Sequence, residues 1–326
     1  MTKFLPAVIK TAVTVTLMFL LFRKVDFHQF SMTLAHARIG LLVLSFTVLW
    51  VAHYVCIFRW RMLMRPLMPV LSRGRLFGIY CIGLFFNLAL PTVVGGDVVK
   101  MYYAGKPSRQ YARSFAATFL DRDAGMLAMM LIACAAVTVL PAAIPGIPAS
   151  LVVWAAFVTF LFTNVAIFTP SLHKLVTSFL HSFKMSKLAA KIDAISGAFQ
   201  VMGREWHILA ASLAISFINQ LLVISVTWIM SEGLQLHVPF LYFLVFVPII
   251  TLISMIPVSL NGMGLREYAF MSLFSAIGVS SESCVALGLL SSAAIILSAI
   301  PGGVVYLFFK NRSDAQEIAT LEAKYS

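Results

Sequence analysis

Charge is scarce in this chain, and acid is scarcer than base: 12 Asp and Glu stand against 24 Lys and Arg. Charged residues make up 11% of the sequence, whereas soluble domains carry roughly 25%. An ordinary soluble domain is excluded, and no polar stretch is long enough to hold one. A GxxxxGK[ST] phosphate loop is missing, so no nucleotide-driven pump is expected within the chain. HExxH and GxSxG are missing too, and the seven histidines have no ligand spacing. No metal site and no cofactor are therefore expected. The four cysteines, Cys56, Cys81, Cys134 and Cys284, show neither paired nor metal-like spacing. They read as small packing residues.

What is abundant is apolar sequence, 61% of the chain. Runs at about 5–22, 39–58, 114–140, 150–168, 208–230 and 284–309 predict six full membrane spans, all helical. Two further apolar segments, about 76–94 and 239–256, each end in a break. The fold class expected is an all-α polytopic membrane protein counted as about eight helices. Lys3 precedes the first run and Arg23 and Lys24 follow it, with no small-residue cleavage site between. The run reads as a retained helix rather than a signal peptide, and Lys10 inside it must snorkel or face the bundle.

The formal charge of +12 needs no nucleic acid, because the basic residues cluster between spans. Segments 59–75, 95–113, 169–207 and the tail from Lys310 hold 17 of the 24 Lys and Arg residues. By contrast 141–149 has no charge and 231–238 has only Glu232. The first group is expected in the cytoplasm and the second outside, which puts both termini in the cytoplasm. Loop 23–38, with Arg23, Lys24 and Arg38, is the exception to this pattern.

This orientation has a consequence. Loops 59–75 and 95–113 are both basic, so 76–113 enters and leaves on one side as a re-entrant hairpin turning near Pro91–Gly96. The same argument makes 239–282 a re-entrant hairpin from outside, turning near Pro257–Gly264. Each half, about 1–140 and about 150–310, then has three spans and one hairpin, which predicts an inverted repeat. The chain reads as one transmembrane domain, 1–326, with a basic amphipathic connector at 171–206, interfacial or merely a linker, and a solvated tail at 311–326.

The hairpin turns carry the chemistry. PTVVGGDVVK (91–100) and PVSLNGMGLRE (257–267) interrupt apolar runs with proline and glycine. Such breaks inside a bilayer persist only where protein covers them or a cavity wets them. A charge at the bilayer centre costs about 2.5–3.5 kcal/mol on insertion scales, so Asp97, Lys100, Arg266 and Glu267 require a reason. The plainer alternative is two ordinary loops between spans. Short helices after Gly95-Gly96 and after Gly264 would aim free amides at an anion such as phosphate. Lys100, Arg122 and Arg266 would add positive charge; Asp97, Asp121 and Glu267 would pair those cations in the lipid-free state. Alternatively Asp97–Lys100 and Arg266–Glu267 are ion pairs that only pin the hairpins. Asn219 and Gln220, in mid-span, serve packing or a headgroup, and His53 and His207 read as polar interface residues.

NLALPTVVGGDVVKMYYA (87–104), FLDRDAG (119–125) and IPVSLNGMGLRE (256–267) closely resemble the lysylphosphatidylglycerol synthase/flippase transmembrane family, in the family's order. The first motif is matched by Pro91, Gly96, Asp97 and Lys100, the second by Asp121 and Arg122, and the third by Pro257, Gly262, Gly264, Arg266 and Glu267. Many members carry a further acid near position 125, where this chain has Gly125 and the nearest acid is Asp123. The resemblance implies a membrane protein that moves or handles lipids. Taken with the helix starts and charges above, the residues expected at the headgroup are Asn87, Gly95, Gly96, Asp97, Lys100, Asp121, Arg122, Gly262, Gly264, Arg266 and Glu267, with Pro91 and Pro257 as the breaks. The soluble domain that makes aminoacylated lipid in the best-known members has no counterpart here, so synthesis is not expected.

The resulting expectation is a flippase or scramblase-like transporter of a bacterial-type inner membrane. It would move an anionic, phosphate-bearing lipid between leaflets without its own ATPase. Its partners would be anionic phospholipid, glycolipid or polyprenyl phosphate, with a lipid-synthesising enzyme as a further partner and no nucleic acid. The alternative is a non-catalytic membrane subunit assisting a lipid-modifying or glycosyl-transferring enzyme. Catalysis by the chain itself is least favoured, because no nucleophile has a base at usable spacing.

Overall fold

The protein is described by a computed structural model over residues 5–23, 26–90, 95–139, 143–144, 147–169 and 186–309. Twelve helices lie among the described residues. The first six are α1 (Leu5–Phe22), α2 (Phe27–Ala35), α3 (Ile39–Met64), α4 (Arg73–Ala89), α5 (Gly95–Gly105) and α6 (Tyr111–Val139). The last six are α7 (Ala149–Phe168), α8 (Ser186–Arg204), α9 (Trp206–Gly233), α10 (Phe240–Ser254), α11 (Leu265–Ser275) and α12 (Ser281–Phe309). A two-residue antiparallel pairing, Ala143–Ile144 with Ile147–Pro148, closes the link between α6 and α7.

The protein is a polytopic helical membrane protein. Four helices, α3, α6, α9 and α12, are long and apolar enough to cross a bilayer, and α1, α7 and α10 hold shorter apolar stretches. Each expected span coincides with a helix, with shifted ends. The largest shift is in α3, which runs to Met64 rather than stopping at 58 and so carries Arg59 inside the helix. Loop 23–38 contains α2, a helix the sequence reading did not anticipate. Its start is fixed by the Asp26 carboxylate, which accepts from the backbone N–H of His28 at 2.8 Å. The hairpin tip 91–94, the connector's first part 170–185, and the tail 310–326 lie outside the described residues.

The helix order repeats. A long helix, a pair of shorter helices and another long helix occur as α3–α4–α5–α6 and again as α9–α10–α11–α12. The two leading long helices pack against each other antiparallel. Leu42, early in α3, lies beneath Gly233 at the end of α9, while Arg59, late in α3, donates to Ser216, early in α9, at 2.6 Å.

Each short pair is itself an antiparallel hairpin. In α4–α5, Gly83 faces Lys100 and Asn87 faces Gly96. In α10–α11, the Phe243 and Phe274 rings meet at a tilt with centroids 5.1 Å apart, and Gly262 sits on Ser254. The α4–α5 hairpin opens beside the C-terminal end of α3, where Arg113 Nη1 donates to the Leu67 carbonyl at 3.0 Å. The α10–α11 hairpin opens beside the C-terminal end of α9, where 235–239, 277–280 and Ser283 line one cavity of about 520 Å³. Because α3 and α9 run in opposite directions, the two hairpins open toward opposite ends. The 36–38 segment belongs to the α9 end: Arg38 N–H donates to the Gly233 carbonyl at 2.8 Å and Gln235 Nε2 to the His36 carbonyl at 2.8 Å.

Two apolar cores flank this arrangement. One joins α6, α9, α10, α11 and α12 around Phe243, Phe246, Phe270 and Phe274. The other joins α3, α4, α6 and α8 around Trp60, Leu63, Leu76 and Ile79. The connector's basic helix α8 is docked on the second through Ala198 and Met202. Asp97, Arg122, Arg266 and Glu267 lie where the hairpins abut the long helices.

Candidate headgroup site

Successive residues of a helix point in different directions, and this decides the pairing at Asp121 and Arg122. Asp121 turns toward α3 and accepts from Arg59 Nε at 2.7 Å, both side chains almost fully buried. Arg122 turns toward the first hairpin, and its Nη1 donates to Asp97 Oδ2. The other oxygen of Asp97 accepts from Lys100 Nζ at 2.7 Å. Asp97 therefore holds two cations, one from its own helix and one from α6. The Lys100 ammonium lies 5.6 Å from the Trp60 ring and 5.2 Å from the Tyr80 ring, in cation–π range. Tyr80 Oη in turn meets His53 Nδ1 at 3.2 Å.

The second hairpin is built differently. Arg266 and Glu267 do not pair directly. Arg266 Nη1 donates to Ser292 Oγ at 3.2 Å, and Nη2 to the Asn261 carbonyl at 3.2 Å. Glu267, with no exposed surface, accepts from Gly264 N–H at 2.6 Å and from Ser292 Oγ at 2.5 Å. Because a guanidinium only donates, the Ser292 hydroxyl accepts from Arg266 and donates its own O–H to Glu267. The expected ion pair is thus relayed through a serine of α12.

A common plan underlies both ties. The third residue of α5 is Asp97 and the third of α11 is Glu267. Each binds the residue 25 positions on, Arg122 or Ser292, which is the twelfth of a 29-residue helix. At 1.5 Å per residue both lie about 16 Å from the helix start, near the middle of a membrane-length helix. At both hairpins a glycine permits the contact: a Cβ on Gly96 would lie 2.0 Å from the Gly83 carbonyl oxygen, and Gly264 takes φ 86°.

The helix-start amides are not all free. Gly96 N–H donates to Asn87 Oδ1 at 2.8 Å, and Gly264 N–H is held by Glu267. Asn87 thus closes the first hairpin, and Gly95 and Gly96 are buried. Gly262, at φ 74°, packs on Ser254. Pro257 follows α10 directly, in the turn before 260–262, whereas Pro91 lies outside the described residues. The Leu260 N–H in that turn donates to Thr14 Oγ1 of α1 at 2.9 Å, and α4 also touches it. The first hairpin's long arm thereby reaches the tip of the second.

Sequence reasoning missed Arg59, Ser292, Trp60, Tyr80 and Asn261. An arginine just past the supposed end of a span was the available signal for Arg59; nothing marked Ser292. Gln220 Nε2 donates to the Gly125 carbonyl at 2.9 Å, so it ties α9 to α6. The Asn219 side-chain oxygen is buried without a partner among the described residues. No group of metal-ligating side chains occurs among the described residues.

Residues 7–303 match the family described as the lysylphosphatidylglycerol synthase transmembrane region. The protein belongs to that family. No curated protein and no solved structure matches it. Membership makes this a lipid-related membrane protein. Gly125 lies against Arg59: a Cβ there would be 3.5 Å from both terminal guanidinium nitrogens.

Proposed function

We propose that this protein is a lipid flippase or scramblase-like transporter that moves an anionic, phosphate-bearing lipid between the leaflets of a bacterial-type inner membrane. It has no ATPase of its own and acts as a transporter rather than an enzyme. The observation that carries this reading is the pair of matched ties, Asp97 to Arg122 and Glu267 to Ser292, at mid-length of two membrane-length helices. Charges there are costly and mark a substrate path by default.

The antiparallel packing of α3 on α9, with hairpins opening at opposite ends, supports an inverted repeat whose hairpins re-enter from opposite faces. α5 and α11 have eleven residues each, about 16 Å of helix, too short to span and long enough to reach the midplane. The α3 C-terminal end, rich in Arg61, Arg65, Arg73 and Arg75, is then cytoplasmic, and both termini share that side. A headgroup would cross between the hairpins while its tails stay in lipid. Arg122 and Arg266, the two arginines of the site that retain exposed surface, are the ones available to a phosphate, which a guanidinium fork binds bidentately.

The test is leaflet exchange of a tail-labelled anionic phospholipid in liposomes containing the purified chain alone, without ATP. Exchange well above that of protein-free liposomes is expected. Absence of exchange until a lipid-modifying enzyme is added favours an accessory subunit instead.

A further inference from the structure

We infer that Arg122 is the cation that Asp97 releases to the lipid phosphate, leaving Asp97 to Lys100, while Arg266 donates to the same phosphate without leaving Ser292 and Glu267, and that the lipid carries one net negative charge. The inference rests on the transport reading above and names the substrate class of the same site. One carboxylate needs one cation, and Asp97 has two. The two are not equivalent. Lys100 is 8% exposed, its stem is packed on Gly83, and its ammonium sits by the Trp60 and Tyr80 rings. The Arg122 side chain is 29% exposed and comes from a different helix. Removing the partner of a lone buried acid strands its charge. Releasing Arg122 strands nothing, because Lys100 still neutralises Asp97. Arg122 is therefore the exchangeable cation and Lys100 the fixed one.

The surplus is a single positive charge. Arg59 is matched by Asp121, and Arg266 by Glu267 through Ser292. Asp123 faces Asn164 of α7 rather than this cluster. A phosphodiester without an amine supplies the one missing negative charge. A zwitterionic headgroup would bring an ammonium to a site whose three acids, Asp97, Asp121 and Glu267, are already engaged. A phosphomonoester, near −2 at neutral pH, would need a second free cation.

The experiment uses the full chain in liposomes with tail-labelled phosphatidylglycerol, phosphatidylcholine or phosphatidic acid at equal mole fraction. Phosphatidylglycerol should exchange at least tenfold faster than the other two. Arg122→Gln should fold, lose at least tenfold in phosphatidylglycerol exchange and no longer retain that lipid in native mass spectrometry. Arg122→Lys should recover part of the rate. Equal exchange of all three lipids overturns the assignment while leaving leaflet exchange standing. So does phosphatidylglycerol exchange at the parental rate in Arg122→Gln. Charge-selective retention that Arg122→Gln abolishes, without exchange of any lipid, supports the assignment and defeats leaflet exchange. Neither exchange nor selective retention defeats both.

Discussion

Asp121 and Arg122 are adjacent in sequence yet belong to different ion pairs, Asp121 with Arg59 of α3 and Arg122 with Asp97 of the first hairpin. A helix turns its neighbouring side chains apart, so one acidic-basic pair fastens α6 to two elements at once. The Arg59 pair is the more deeply buried, which separates the two energetically.

Arg59→Met should cost about 3–5 kcal/mol, the usual result of stranding a buried acid, and Arg122→Met clearly less, because Asp97 keeps Lys100. Adding Asp121→Leu to Arg59→Met should restore most of the stability. Thermal unfolding in detergent checks the order; equal losses from Arg59→Met and Arg122→Met would refute it.

Ser292 joins Arg266 to Glu267, so Ser292→Ala removes an acceptor and a donor together. A loss of about 1–3 kcal/mol is expected for leaving buried polar groups unmade, with most of it recovered in Ser292→Thr. Ser291→Ala, whose hydroxyl bonds the Leu287 carbonyl of its own helix and, at 3.9 Å, the Met230 sulfur, but no charged group, serves as the control. Equal effects at 291 and 292 would remove the relay.

Much of this arrangement was legible in the sequence. The breaks after 91 and 257 and the charges beside them marked both hairpins, because proline, glycine and charge are costly in an apolar helix. The partners were harder to see. Arg59 was assigned to a basic loop because hydrophobicity fades at residue 58, although the helix continues to Met64. Ser292 is one serine among several in an apolar helix, and only the fold brings it to Glu267. Arg266 and Glu267 were offered as an ion pair on adjacency, which helical geometry forbids. The equivalence of Asp97 with Glu267 was hidden because the second loop is longer than the first, so the two motifs drift out of register.

α4 and α12 approach closely enough that a Cβ on Gly302 would lie 1.9 Å from the Cys81 carbonyl oxygen. Backbone cannot yield as a flexible side chain can, so Gly302→Ala should cost at least about 1–3 kcal/mol and lower the yield of monodisperse protein. A Cβ on Gly40 meets nothing within 4 Å; Gly40→Ala should be neutral or stabilising by up to about 1 kcal/mol. Size-exclusion profiles of the two variants decide it.

Single cysteines at Ser72 and Ser108 should react with a membrane-impermeant maleimide from one side of the membrane. Cysteines at Gln235 and Ser280 should react from the other. Opposite sidedness within the 72/108 pair would turn the first hairpin into ordinary spans and end the inverted repeat.

Whether the mid-depth charges handle a lipid phosphate or only pin the hairpins is read most directly from leaflet exchange by the double variant Arg266→Ala with Glu267→Gln. If Arg266 chiefly balances Glu267 through Ser292, removing both charges restores folding and transport together. If Arg266 binds phosphate, the double variant folds, because no charge is stranded, and exchanges anionic lipid at least tenfold more slowly than the parent. The account predicts a monodisperse and inactive protein, and exchange at the parental rate would contradict it.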